Sequence, residues 1–85
     1  MTHYVYVLRS IRDGRLYVGY TTNLKRRLTE HNAGMVSSTK HRIPFKLIYY
    51  EACAHQADAL RRERYLKTTY GKRYIKGRVK SGLDV

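Results

Sequence analysis

Two short runs of β-branched and aromatic residues, joined by an Asp-Gly pair, constrain this chain more than any other feature. Tyr4-Val5-Tyr6-Val7-Leu8 and Leu16-Tyr17-Val18-Gly19-Tyr20 have the composition of strands. Asp13-Gly14 between them is a strong short-range signal for an antiparallel hairpin. A loop centred on that pair sets Tyr17 opposite Ser10 and Gly19 opposite Leu8. Side chains alternate along a strand, so Tyr6, Leu8, Tyr17 and Gly19 then share one face of the ribbon.

Beyond the hairpin the hydrophobic period changes. Asn23 is a good N-cap and Gly34 a good residue just past a helix end, which predicts a helix from Leu24 to about Ala33. At 100° per residue, Leu24, Arg27, Leu28 and His31 fall within one arc of about 100°. Lys25, Arg26, Thr29 and Glu30 point elsewhere, so Arg27 and His31 flank the buried stripe. Met35 to Pro44 reads as a basic, hydroxyl-rich loop, and Pro44 opens a third strand over Phe45 to Glu51. A second helix is expected from about His55 to Thr69 or Tyr70, with Gly71 after it. Its apolar arc holds Ala59, Leu60, Leu66 and Tyr70, and Glu63 projects into the middle of that arc. The basic segment from Gly71 onward is expected to add one short helix and a frayed end. With no repeat or linker in view, the expectation is one domain over 1–85, with a core of about 4–70 and a basic C-terminal segment over 71–85. The order β-β-α-β-α plus a short C-terminal helix implies an α+β fold: a three-stranded antiparallel sheet flanked by helices.

Composition narrows the function classes. At 42% apolar residues, spread along the chain, the sequence is that of a folded domain. No apolar run approaches the roughly 20 residues of a membrane span. Met1-Thr2-His3-Tyr4 enters a strand without a charged or signal-like stretch, and a cytoplasmic location is expected. The lone Cys53 leaves no internal disulfide and no cysteine-only metal site. Charge is the strongest signal: 18 Lys+Arg against 6 Asp+Glu give +12, a field that draws in polyanions. Nucleic acid is the first expectation for a partner, and an anionic membrane or an acidic protein surface are the others. Nine tyrosines beside one phenylalanine and no tryptophan suit a core that borders a polar site, because a tyrosine packs by its ring and still offers a hydroxyl.

Five residues carry candidate chemistry, and each has a plainer reading. Glu63 on an apolar stripe requires a partner, either an arginine or a metal ion. Magnesium commonly takes only one or two protein carboxylates, with water and phosphate oxygens completing its shell. Arg27 and His31, one turn apart, either pack as an amphipathic edge or clamp a phosphate with an imidazole nearby for proton transfer. Tyr6 and Tyr17 are core residues, or phenols activated by neighbouring positive charge. His3, His41 and His55 show no metal-ligand spacing and read as surface or cap residues.

In order, Tyr4-Val5-Tyr6, Tyr17-Val18-Gly19, Arg27, His31 and Glu63 resemble the GIY-YIG nuclease superfamily. The first triplet keeps only the final tyrosine of the nominal Gly-Ile-Tyr; the second keeps its tyrosine and glycine. Arg27-Leu28-Thr29-Glu30-His31-Asn32-Ala33-Gly34 is similar to the short bacterial branch, close to the nuclease domain of structure-specific resolvases. No asparagine follows Glu63, where several larger members have one.

The resemblance implies a DNA endonuclease that makes a hydrolytic, one-metal cut, structure-directed with little sequence preference, in a repair or recombination setting. Glu63 would hold Mg²⁺ or Mn²⁺ and Arg27 would neutralise charge at the phosphate. Tyr17 or Tyr6 would accept a proton from water, with His31 as relay. Arg27, Lys40, Arg42, Lys67, Lys72 and Arg73 are the candidate DNA contacts. A protein partner that supplies substrate specificity is a further expectation, and no membrane is expected. The alternative is a catalytically silent basic nucleic-acid-binding module on the same fold.

Overall fold

The computed structural model describes residues 1–83. Strand β1 (His3–Ser10) lies between β2 (Leu16–Thr21) and β3 (Phe45–Cys53), and both pairings are antiparallel. This is the three-stranded sheet that the sequence implies. Position in the sheet explains why β1 is the most apolar strand: it is covered on both faces. Val5 and Val7 point to one side and Tyr6 and Leu8 to the other, all of them buried.

Helix α1 (Leu24–Asn32) closes the Tyr6/Leu8 face, where Leu24, Leu28, Ile43 and Leu47 pack with Phe45. Its start is as expected: the Asn23 side chain accepts from the Arg26 N–H. At its end Gly34 is left-handed, with φ +75°. The Asn32 side-chain amide joins α1 to β3, accepting from the Phe45 N–H at 2.7 Å and donating to its carbonyl at 3.1 Å. A single 3-10 turn (Lys40–Arg42) interrupts the loop before β3. The strand then runs to Cys53, two residues past the expected Glu51, with a bulge opposite Val7/Leu8.

The opposite face is covered by α2 (Gln56–Leu66) and α3 (Thr69–Arg78), which place Ala59, Leu66 and Ile75 against Val5, Val7 and Val18. A last turn, α4, covers Lys80–Leu83. Here the structure differs from the sequence reading. The expected single helix to Thr69 or Tyr70 ends at Leu66, because the Thr68 side chain caps a new helix by accepting from the Gly71 N–H at 3.1 Å. Gly71 is therefore inside α3 and does not terminate α2. Tyr70, expected in the apolar arc, is 71% exposed, since the break turns it outward. Nor does the packed core stop at residue 70: Ile75 is fully buried and Val79 packs beside it. The last two residues of the expected basic C-terminal segment lie outside the described residues.

The hairpin register also differs, by two residues. Gly19 faces Tyr6 and Tyr17 faces Leu8, where Leu8 and Ser10 were the expected partners. The loop is centred one residue earlier than the Asp-Gly pair. Ser10 closes it by donating to the Arg15 carbonyl, and Gly14, with φ +73°, is its last residue. A slip of two preserves the faces, so Tyr6, Leu8, Tyr17 and Gly19 still share one side.

Candidate active site

The site grows from β1 outward. A side chain on Gly19 would collide with the hydroxyl and ring of Tyr6, so glycine at that position gives the phenol its place across β2. The Tyr6 hydroxyl lies 2.8 Å from His31 Nε2 and accepts from Arg27 Nε at 3.4 Å. On the far side of the imidazole, Nδ1 lies 2.8 Å from the Thr39 hydroxyl, which in turn donates to the Val36 carbonyl at 3.4 Å. This order of donors assigns the proton of a neutral His31 to Nδ1, and leaves Nε2 as acceptor for the Tyr6 O–H. One hydrogen-bonded chain thus runs from Arg27 through Tyr6 and His31 to Thr39.

Burial sets the electrostatics. His31 and Thr39 are both fully buried. The rings of Tyr17, Tyr6 and Phe45 pack edgewise on the imidazole at 5.1, 5.7 and 5.9 Å. Loss of water, reinforced by the Arg27 charge, lowers the His31 pKa to about 4, so the ring is neutral at pH 7. Burial likewise raises the Tyr6 pKa against the pull of Arg27, with the charge of Glu63 adding to the rise. Arg27 is half-buried and also donates from Nη1 to Glu30 at 3.1 Å. Tyr17 is half-buried and lines a recess of about 180 Å³ with Lys67 and Lys72.

Glu63 stands on α2 four residues after the buried Ala59 and three before the buried Leu66, and is partly accessible. Lys67 Nζ lies 3.3 Å from its carboxylate, so its protein partner is a lysine one turn on where an arginine was expected. Among the described residues no three His, Cys, Asp or Glu side chains gather as a closed metal site. A single accessible carboxylate nevertheless fits an ion held mainly by water and phosphate oxygens. That its charge is felt at the Tyr6 hydroxyl puts Glu63 within electrostatic reach of the chain just described.

Of the expected DNA contacts, Lys67, Lys72 and Arg42 line two recesses along β2, whereas Lys40 and Arg73 are exposed and line neither of these two. Thr39, Arg15 and Lys76 were not singled out from the sequence. Thr39 stands in a hydroxyl-rich loop with no period to mark it as buried. The other two are ordinary members of a basic chain. His3 is held by Tyr20 (2.7 Å), while His41 and His55 are exposed. Cys53 is a free, half-buried thiol. No helix among the described residues is long and apolar enough to cross a membrane.

Comparison with known proteins matches nearly the whole chain. A UPF0213 protein of Bacillus licheniformis is 42% identical over 98% of this chain and 89% of its own. A UPF0213 protein of Streptococcus agalactiae serotype V is 44% identical, covering 84% and 89% of the two chains. The solution NMR structure of a UPF0213 protein from Bacillus halodurans superposes with a TM-score of 0.56 at 35% identity, over 91% of this chain and 84% of that one. The family described as the GIY-YIG catalytic domain matches residues 2–76, a span that holds Tyr6, Tyr17, Arg27, His31 and Glu63, and the chain belongs to that family.

Proposed function

We propose that this protein is a metal-dependent endonuclease that hydrolyses DNA phosphodiester bonds. The observation that carries the reading is the Tyr6 hydroxyl, held between the Arg27 guanidinium and a neutral His31 while it feels the charge of Glu63. A phenol in that position has a cation to stabilise its anion and a base behind it to take its proton. In the proposed step Tyr6 accepts a proton from the attacking water as its own passes to His31 Nε2. The water oxygen bonds to phosphorus, the bond to the leaving oxygen breaks, and the proton held only transiently on His31 returns through Tyr6 and solvent to that oxygen. Tyr17, with its ring against His31 and an open recess beside it, positions the water. Arg27 meets the charge that develops on the phosphate. Glu63 would hold the Mg²⁺ or Mn²⁺ ion, which when bound stabilises negative charge on the phosphate and the leaving oxygen.

Substrate choice follows from size and charge. Phosphate contacts position a protein without reading bases, so recognition is by DNA structure, at flaps, forks or branches, with little sequence preference. The test is cleavage of end-labelled single-stranded, duplex, flap and four-way DNA, with Mg²⁺, Mn²⁺ or EDTA, and with Glu63→Ala in parallel. Metal-dependent cutting that the variant loses, while it still binds DNA, is the expected result. Equal binding by both proteins with no cutting of any substrate would leave a silent binding module instead.

A further inference from the structure

We propose that a cationic pocket at the hairpin end of β2 is a second phosphate site, which holds the backbone of the substrate strand away from the point of cleavage. The inference rests on the nuclease reading for the identity of the strand, but the pocket stands on its own geometry. It is a cavity of about 420 Å³ lined by Gly14, Arg15, Leu16, Arg42, Lys72 and Lys76. Four of those six are cations, drawn from the hairpin, the 3-10 turn and α3, and none is acidic. Leu16 and Lys72 also line the recess beside Tyr17, so the two cavities adjoin. Lys67 in that recess is the residue paired with Glu63. A continuous basic track therefore leads along β2 from Glu63 and Tyr17 to Arg42.

Three details separate this pocket from a merely solvated surface. Arg42 is fixed, with Nε donating to Asp13 at 2.9 Å and its guanidinium 5.5 Å from the centre of the Phe45 ring. Its Nη2 is buried and has no acceptor among the described residues, which costs free energy. Lys72 and Lys76 stand one turn apart on α3, a like-charge pair that weakens a helix unless a counter-ion sits between them. Asp13, the residue before the lining Gly14, is already committed to Arg42 and to the Arg15 N–H, each at 2.9 Å. The ligand chemistry is thus phosphate. Its repetition along a track that begins at the candidate active site points to a polynucleotide and away from a free ion.

The test uses the whole chain and fluorescence anisotropy with a labelled oligonucleotide in EDTA, so that binding is read without cutting. Arg15→Gln/Lys76→Gln is compared with Lys46→Gln/Arg64→Gln, which removes the same charge from exposed positions on β3 and α2. The first pair is expected to weaken binding at least tenfold at low salt. It should also lower the slope of log K against log salt by about one to two, since each phosphate contact contributes roughly 0.7–0.9. The control pair should leave the slope nearly unchanged. Equal losses in both pairs would overturn the pocket and leave only the general field of the molecule. Inorganic phosphate or a mononucleotide that displaces the label as well as unlabelled oligonucleotide does would overturn the strand. If the wild type cuts nothing while the slope still falls only in the first pair, the nuclease reading fails and the phosphate site remains.

Discussion

His31 shows how one buried side chain can be both a structural liability and the centre of a site. Between pH 6.5 and 4 the unfolded chain carries a proton on this imidazole that the folded chain refuses, because the folded pKa is lowered to about 4. Its neutral burial therefore contributes stability that is fully present above about pH 6.5 and is lost as pH falls toward 4, by at most about 3 kcal/mol. Asp13 and Glu51, whose folded pKa values are also lowered, lose their contributions in a more acidic range, below about pH 4.5. Urea unfolding at pH 7 and pH 5 should thus show a drop that His31→Gln abolishes. An undiminished drop in that variant would place the cause elsewhere. Thr39→Val should cost about 1–3 kcal/mol at pH 7, by leaving the Nδ1–H without an acceptor, and Thr39→Ser should restore it. His31 could be placed from the sequence because a helical period fixes which residues face inward. Its partner Thr39 could not, because only the tertiary path of the loop buries it.

At the scale of elements, the faces of strands and of α1 were legible, and the joints between elements were not. A period of two or of 3.6 residues survives small errors of position, which is why a hairpin register wrong by two still grouped Tyr6, Tyr17 and Gly19. The loop failed because Gly14 serves as its last residue, where its left-handed backbone is needed, and not as part of a central pair. The α2–α3 break failed because Thr68 acts as a cap within a stretch whose hydrophobic period continues unbroken. Gly71 makes that joint close: a Cβ there would meet the Tyr65 carbonyl oxygen and Leu66 Cα, both parts of the backbone. Opposing effects decide what Gly71→Ala does. Helix propensity favours alanine by about 1 kcal/mol, whereas overpacking against rigid backbone costs about 1–3 kcal/mol. The backbone contact should win, so the urea midpoint should fall with an unchanged slope. A raised midpoint would mean that α3 can move away from α2 at little cost.

On the scale of the whole molecule, a charge of +12 on a body of 12.3 Å radius of gyration makes salt act in two opposite directions. At about 0.01 M salt the screening length is roughly 30 Å, longer than the molecule's radius, and cations on β1, β3 and every helix repel one another. At about 0.15 M it is roughly 8 Å and much of that repulsion is gone. Salt alone should therefore raise the melting temperature of the free protein. Bound DNA neutralises the same charge more completely. At a free DNA concentration about a hundred times Kd it should add about 2.7 kcal/mol, or roughly 10–20 °C for a chain of this size. Because counter-ion release drives that binding, the added stability should shrink as salt rises. Thermal melts with and without duplex DNA across this salt range should converge from opposite sides. A DNA-induced shift that salt leaves unchanged would mean that the contacts are not to phosphate, and the charge of this chain would need another explanation.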